Sequence, residues 1–377
     1  MTLAAWLHTL SPYLVRISDS GFGLRWYGLS YLAGFLVAYL LLRACTRRGL
    51  MLIPPERIGD AMMWFIGGVL VGGRLGYVLL YQPDLLGQFS RNVPWWGVLA
   101  IQGGGMSAHG GIAGVIFAAW RVSRGWRTRS ATGGFTRTGR VSTLHLMDLI
   151  ALLAPLGLMF GRLANFINGE LLGRVHSPPG TSGPWWTVQF PQELRGWLRP
   201  GVRTDQTPAL TPGQEQELWS LAARASQPGD TSYTHALDRV IANAATYASE
   251  LRPLLSSRYP SQLFQAAAEL ALFMVLWVVW ARPRKPGVVG CWFMMTYGLL
   301  RIVTEFWRLP DAQFAVERPL GLSRGQWYSV PMVVFGAAML VWVSRRRVPK
   351  MGGWMGRPFP ASTAMPAALP EAGTEST

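Results

Sequence analysis

The 377-residue chain has only two cysteines, Cys45 and Cys291, and five histidines. The cysteines form no CxxC pair, and the histidines are scattered without an H-x-x-x-H spacing. This argues against a disulfide framework or a zinc site. There is also no P-loop and no dinucleotide fingerprint, so the sequence implies no cofactor. Charged residues make up just 14% of the chain, and acids are scarcer than bases, 19 against 35.

Long apolar runs, by contrast, are plentiful. They recur at about 22–42, 60–81, 100–120, 147–168, 262–280, 288–307 and 326–344, each near the ~20 residues that cross a hydrocarbon core. The first begins too far from the N-terminus, and is too long, for a cleaved signal peptide. The expected fold is an all-α polytopic membrane protein with about seven transmembrane helices.

A net charge of +16 could suggest nucleic acid, but its placement points elsewhere. Basic residues crowd every second loop: Arg43, Arg47, Arg48 and Arg57; then Arg121 to Arg140; then Arg282, Arg284 and Lys285; then Arg345 to Lys350. The loop between spans two and three holds only Arg91. This is the positive-inside pattern, putting the N-terminus outside and the C-terminus in the cytoplasm. The charge reports topology and contact with anionic membrane lipids, not nucleic acid.

Four regions follow. Residues 1–168 form an N-terminal arm and membrane helices one to four. Residues 169–261 form a small periplasmic head, in which "PGQEQELWSLAARAS" and "HALDRVIANAATYASELRPLL" have helical spacing. Residues 262–347 form helices five to seven, and 348–377 a disordered cytoplasmic tail. The stretch 129–140, "RSATGGFTRTGR", reads as a mobile cytoplasmic loop. Gly68, Gly72 and Gly76 let helices approach closely. "QGGGMSAHGG" is too rich in glycine to begin a helix well, so the start of span three is expected to line a cavity.

Polar residues concentrate in "GRLANFINGELLGR", 161–174, at the end of span four. At about 1.5 Å per residue, Arg162 lies roughly 9 Å below the outer surface. The same arithmetic puts Arg74, Arg301 and Tyr27 near that level, with His109 somewhat deeper. Arg162, Asn165 and Gly169 share one helix face; Tyr297, Arg301, Glu305 and Arg308 share another. An arginine at that depth must face a partner or a wet cavity, and its fork suits phosphate. The layer reads as a pocket for a phospholipid headgroup. Alternatives stand beside this reading. Arg74 could be held by a glutamate or backbone carbonyls alone, Arg301 could pair with Glu305 inside one helix, and Asn165 and Asn168 could be interhelical hydrogen-bond glue. His109 could be a satisfied buried histidine. Asp148 and His145 read as structural or solvated.

These stretches together resemble the prolipoprotein diacylglyceryl transferase family, bacterial inner-membrane enzymes. "GRLANFINGELLGR" is similar to the family's signature segment. "RWYGLSY", "GGRLGYVLLY", "GGMSAHGGIAGV", "RYPSQLFQ", "YGLLRIVTEFWRLPDAQF" and "GQWYSVP" follow in the family's order. The resemblance implies transfer of the diacylglyceryl group of phosphatidylglycerol to the lipobox cysteine of a prolipoprotein signal peptide. A thioether forms and sn-glycerol 1-phosphate leaves, with the site near the periplasmic leaflet. It implies that Arg162 binds phosphatidylglycerol and that His109, Tyr27, Asn165, Gly173 and Arg301 matter for activity. Arg162 and Arg301 would hold the phosphate and His109 would be the base for the thiol. Tyr27 and Asn165 would orient the headgroup and Glu305 would orient Arg301. Arg74, Asn168, Glu170 and Tyr297 complete the expected substrate-binding set. The chain departs from the family pattern at Gly103, where many members have an acid, and at Tyr259, where many have His. Neither position can supply an obligatory acid or base here.

The rival class is a carrier of anionic substrates, which would also use broken helices and buried charge. Against it, the charges lie toward the outer face and no repeated half is visible. A scaffold is a more distant alternative, since it leaves the converging arginines unexplained.

Overall fold

The computed structural model describes residues 5–17, 23–91, 93–100, 104–129, 135–197, 210–230, 232–309 and 321–356. Nine longer helices organise it: α1 (Trp26–Arg47), α2 (Ile58–Leu80), α3 (Ala108–Ser123), α4 (Thr143–Asn168), α5 (Pro212–Ala225), α6 (Tyr233–Ala242), α7 (Ser261–Trp280), α8 (Val288–Thr304) and α9 (Arg324–Arg345). Among the described residues, five helices are long and apolar enough to cross a membrane: α1, α2, α4, α7 and α9. α8 is apolar but shorter, at 17 residues, and α3 has 16. This is the architecture of a polytopic helical membrane protein.

The chain divides into two compact units. One comprises residues 1–35, 154–275 and 294–337. Its polar end is a small head in which α5 and α6 pack. Thr211 and Gln214 form a capping box at the start of α5, satisfying two amides that the first turn leaves bare. The head's core gathers Leu194, Leu218, Leu221, Leu237, Val240 and Leu254. Beside it runs a four-stranded sheet in the order β1 (Trp6–Leu7), β7 (Val188–Gln189), β8 (Ser257–Arg258), β6 (Val175–Ser177). β1 lies parallel to β7, with Trp6 opposite Val188; the other pairs are antiparallel. A separate hairpin joins β2 (Tyr13–Arg16) to β3 (Gly23–Arg25). The two head helices match the sequence expectation; the strands do not appear in it. Segments of two or three residues are too short to display a period.

The other unit comprises residues 36–153, 276–293 and 338–377. α2 and α3 meet through glycine. A Cβ at Gly68 or Gly72 would strike the backbone of Gly114 or Gly110, and the reverse holds at Gly110 and Gly114. Backbones this close gain dispersion and weak polar contacts that lipid cannot offer. α3 begins at Ala108, later than the expected 100. The Ser107 hydroxyl caps it by accepting from the Gly110 amide, while Gly104 and Gly105 adopt positive φ. Gly103 lies outside the described residues. Asp148 is structural: its carboxylate accepts from the Gly287 amide at 2.7 Å and the Gly290 amide at 2.8 Å. It therefore caps the N-terminus of α8, where a negative charge is favourable. His145 is buried and stacks on Trp280.

Two expectations are corrected in part here. Within 129–140, β5 (Phe135–Thr138) pairs with β4 (Trp126–Arg129), because β-branched and aromatic residues alternate with arginine there; 130–134 lie outside the described residues. In the expected tail, Met351 exchanges backbone hydrogen bonds with Arg284 and the Trp354 ring packs on Trp277. Residues 357–377 lie outside the described residues.

The glycine contact yields a prediction. Gly114→Val should destabilise the protein by about 3 kcal/mol through overpacking. Gly59→Ala, where an added Cβ meets nothing within 4 Å, should be near neutral. Thermal unfolding of both variants in detergent checks this.

Candidate functional site

Arg162 projects from α4 into a cavity of ≈10 Å³ that it shares with Gln265, Ala268 and Glu269 of α7 and with Tyr297, Leu300, Arg301 and Thr304 of α8. That is about the space of one water. Three apolar helices thus bring two guanidiniums, a carboxylate and a phenol together. Arg301 is anchored on one side only. Its Nη2 lies 3.0 Å from Glu305 Oε2, while its Nη1 is buried with no hydrogen-bond partner among the described residues. An arginine donor left so in apolar surroundings favours an anion strongly.

Glu305 follows the end of α8 and is 4% exposed. It also faces Arg308 Nη1 at 3.9 Å. The motif "GQWYSVP" explains how α9 makes room for it. A Cβ at Gly325 would sit 3.0 Å from the Glu305 carboxylate, and the Gln326 amide donates to the Ile302 carbonyl at 3.3 Å. α9 therefore supports the end of α8 and packs directly against its carboxylate.

One turn beyond Arg162, Asn165 is buried, and its Oδ1 accepts a 2.7 Å hydrogen bond from the Tyr27 hydroxyl of α1. α4 stops at Gly169, whose φ of 66° is the left-handed conformation that ends helices. Asn168 bonds to Glu170 on the exposed loop that follows. That loop is held by the "RYPSQ" segment. Gln262 Nε2 donates to the Glu170 carbonyl at 2.6 Å, Ser261 Oγ to the Leu171 carbonyl at 3.2 Å, and Arg258 Nη1 to the Gly173 carbonyl at 3.0 Å. Arg258 is itself fixed by Glu193 at 2.9 Å, both fully buried. Gly173 is squeezed between two segments: an added Cβ would collide with the Tyr259 carbonyl and come within 3.1 Å of the Trp307 carbonyl. The Arg174 amide donates to Trp307 and the Tyr259 amide to Arg174. Tyr259 packs in an aromatic group with His176 and Trp186.

Of the residues singled out in the sequence, one unit holds Tyr27, Arg162, Asn165, Asn168, Glu170, Gly173, Tyr297, Arg301 and Glu305. Arg162, Tyr297 and Arg301 line one cavity; Tyr27 and Asn165 bond to each other; Glu170 and Gly173 lie on the braced loop. Arg74 and His109 belong to the other unit. Arg74 is buried and its fork is occupied. Nε donates to the Val98 carbonyl at 2.7 Å, Nη2 to Gly97 at 2.7 Å, and Nη1 to Gly104 and Gly105 at 2.7 and 3.0 Å. Of its two readings, the geometry favours the one in which carbonyls hold it. His109 is exposed in the first turn of α3, unlike the buried histidine that was its alternative. Glu269 was missed. A lone acid inside the apolar run 262–280 was the signal available.

The chain matches the profile of the family described as prolipoprotein diacylglyceryl transferase over residues 12–342. It is similar to a phosphatidylglycerol–prolipoprotein diacylglyceryl transferase of Bdellovibrio bacteriovorus, 40% identical over 367 residues, covering 92% of this chain and 97% of that protein. Proteins of the same name from Burkholderia cenocepacia and Burkholderia thailandensis are 36% and 35% identical. Each match covers 88% of this chain, with 94% and 95% of the respective relative.

The bracing of Gly173 is testable without any assay of turnover. Gly173→Ala should part the loop from its neighbours, so the Arg174 and Tyr259 amides should exchange hydrogen at least about tenfold faster. Unchanged protection would show that the collision is relieved elsewhere.

Proposed function

The chain belongs to the prolipoprotein diacylglyceryl transferase family, and on that footing we propose how its side chains perform the family's transfer. The protein is a multi-pass membrane transferase that moves the diacylglyceryl group from phosphatidylglycerol to a prolipoprotein. We assign the acceptor as the lipobox cysteine and the leaving group as sn-glycerol 1-phosphate. All seven apolar helices cross the bacterial inner membrane in this reading, with the site toward the periplasmic leaflet. The alternation of basic loops supports that orientation.

The observation that carries the assignment is the convergence of Arg162 and Arg301 on one cavity. Displacement at the glyceryl carbon breaks a C–O bond and leaves negative charge on the phosphate. Two forks placed in an apolar site stabilise that charge far better than water does. Glu305 fixes the orientation of Arg301, consistent with their 3.0 Å contact. The Tyr27–Asn165 pair and Tyr297 orient the glycerol headgroup. Asn168 and Glu170 form the outer rim of the site, and Gly173 lets the braced loop lie close. We assign His109 as the base for the thiol, since a thiolate is the nucleophile. Arg74 is left out of this set, as its donors already go to the carbonyls of Gly97, Val98, Gly104 and Gly105.

Purified protein, phosphatidylglycerol and a lipobox peptide should yield a peptide heavier by one diacylglyceryl group, read by mass spectrometry. Unchanged substrates would instead indicate a carrier. Arg162→Ala and Arg301→Ala should each lower transfer at least about 10²-fold while the protein still inserts; near-normal turnover would reject the phosphate assignment. For His109→Gln the rate should fall steeply and recover in part at higher pH, where the thiol ionises unaided. A mild, pH-independent loss would leave His109 as packing.

A further inference from the structure

The cavity holds one charged group that this mechanism does not use. Glu269 is 6% exposed and lines the same cavity as Arg162 and Arg301. Its Oε2 is buried without a hydrogen-bond partner among the described residues. A carboxylate so placed opposes the entry of an anion, which is an odd neighbour for a phosphate grip unless it limits how much negative charge the grip accepts. The charges lining the cavity are those of Arg162, Arg301 and Glu269. Glu305 and Arg308, 3.9 Å apart, offset one another. Among the described residues, one positive charge is left in excess.

That excess matches one of the two phosphates in the reaction. The donor lipid is a phosphodiester with a single negative charge. As the C–O bond breaks, its electron pair stays on the phosphate oxygen, and the resulting monoester carries about 1.5 to 2 negative charges at neutral pH. We propose that Glu269 is a specificity-determining residue: it sets the net charge of the arginine cavity so that a phosphodiester headgroup is accepted and the phosphomonoester product is repelled. The proposal rests on the reading of Arg162 and Arg301 as the phosphate-binding pair. It gives the arginines' grip a built-in release, because the transfer itself creates the charge that Glu269 rejects. With a neutral side chain at 269 the cavity would hold two excess positive charges and would suit the product better than the substrate.

Two soluble probes separate the charge states: glycerophosphoglycerol, a diester, and glycerol 1-phosphate, a monoester, each tested as an inhibitor of transfer from phosphatidylglycerol to a lipobox peptide. The wild-type protein should be inhibited at about tenfold lower concentration by the diester than by the monoester, a comparison that needs no variant. In Glu269→Gln that preference should vanish or invert, with glycerol 1-phosphate inhibiting at about tenfold lower concentration than in wild type. Glu269→Asp keeps the charge and should keep the wild-type order. A wild-type protein that binds the monoester as well as the diester overturns the proposal, as does an unchanged preference in Glu269→Gln. Inhibition by both probes that survives Arg162→Lys and Arg301→Lys would instead reject the phosphate reading on which it rests. Inhibition that is lost in the lysine variants, together with an unchanged order in Glu269→Gln, would reject only the role of Glu269.

Discussion

A guanidinium does not give up its proton inside a protein, so every buried arginine must be answered by something. This chain answers in three ways. Arg74 is met by four backbone carbonyls, and Arg258 by the Glu193 carboxylate and a carbonyl. Both are occupied and serve as ties. Arg301 receives Glu305 on one edge and keeps Nη1 without a partner among the described residues. The same residue type thus reads as a brace or as a grip, according to how many of its donors the protein itself consumes. The arrangement around the cavity follows from keeping Arg301 half satisfied: Gly325 leaves room for its carboxylate partner, and α7 brings up a second acid.

Much of this was legible in the chain. Apart from the start of α3, apolar length alone located the long helices to within about five residues, since the cost of bare backbone in lipid leaves few alternatives. The gathering of Arg162 and Arg301 could be anticipated by counting rise along separate spans, although the same count brought in Arg74 and His109, which belong to the other unit. Other features were out of reach for definite reasons. The head's sheet is made of strands too short to alternate. The start of α3 is set by the Ser107 hydroxyl rather than by hydrophobicity. The fate of Arg74 depended on carbonyls some 23 to 31 residues away, which no pattern of side chains reveals. Glu269 was visible as an acid in an apolar run, but its meaning required knowing which helices faced it.

The braced loop also explains why "RYPSQ" belongs with "GRLANFINGELLGR" although about 90 residues separate them. Ser261, Gln262 and Arg258 supply the hydrogen bonds that the end of α4 cannot make for itself once Gly169 has stopped the helix. Such interlocking makes the two motifs one structural object, and a change in either would loosen the same carbonyls.

The pairing of β6 with β8, Val175 opposite Arg258, draws the two ends of the intervening stretch together like a drawstring. Those ends stay side by side whatever length of chain lies between them. Within that stretch Glu193 and β7 are tied back to β8, so residues can be added or trimmed only away from these ties, provided the knot at the neck stays tied.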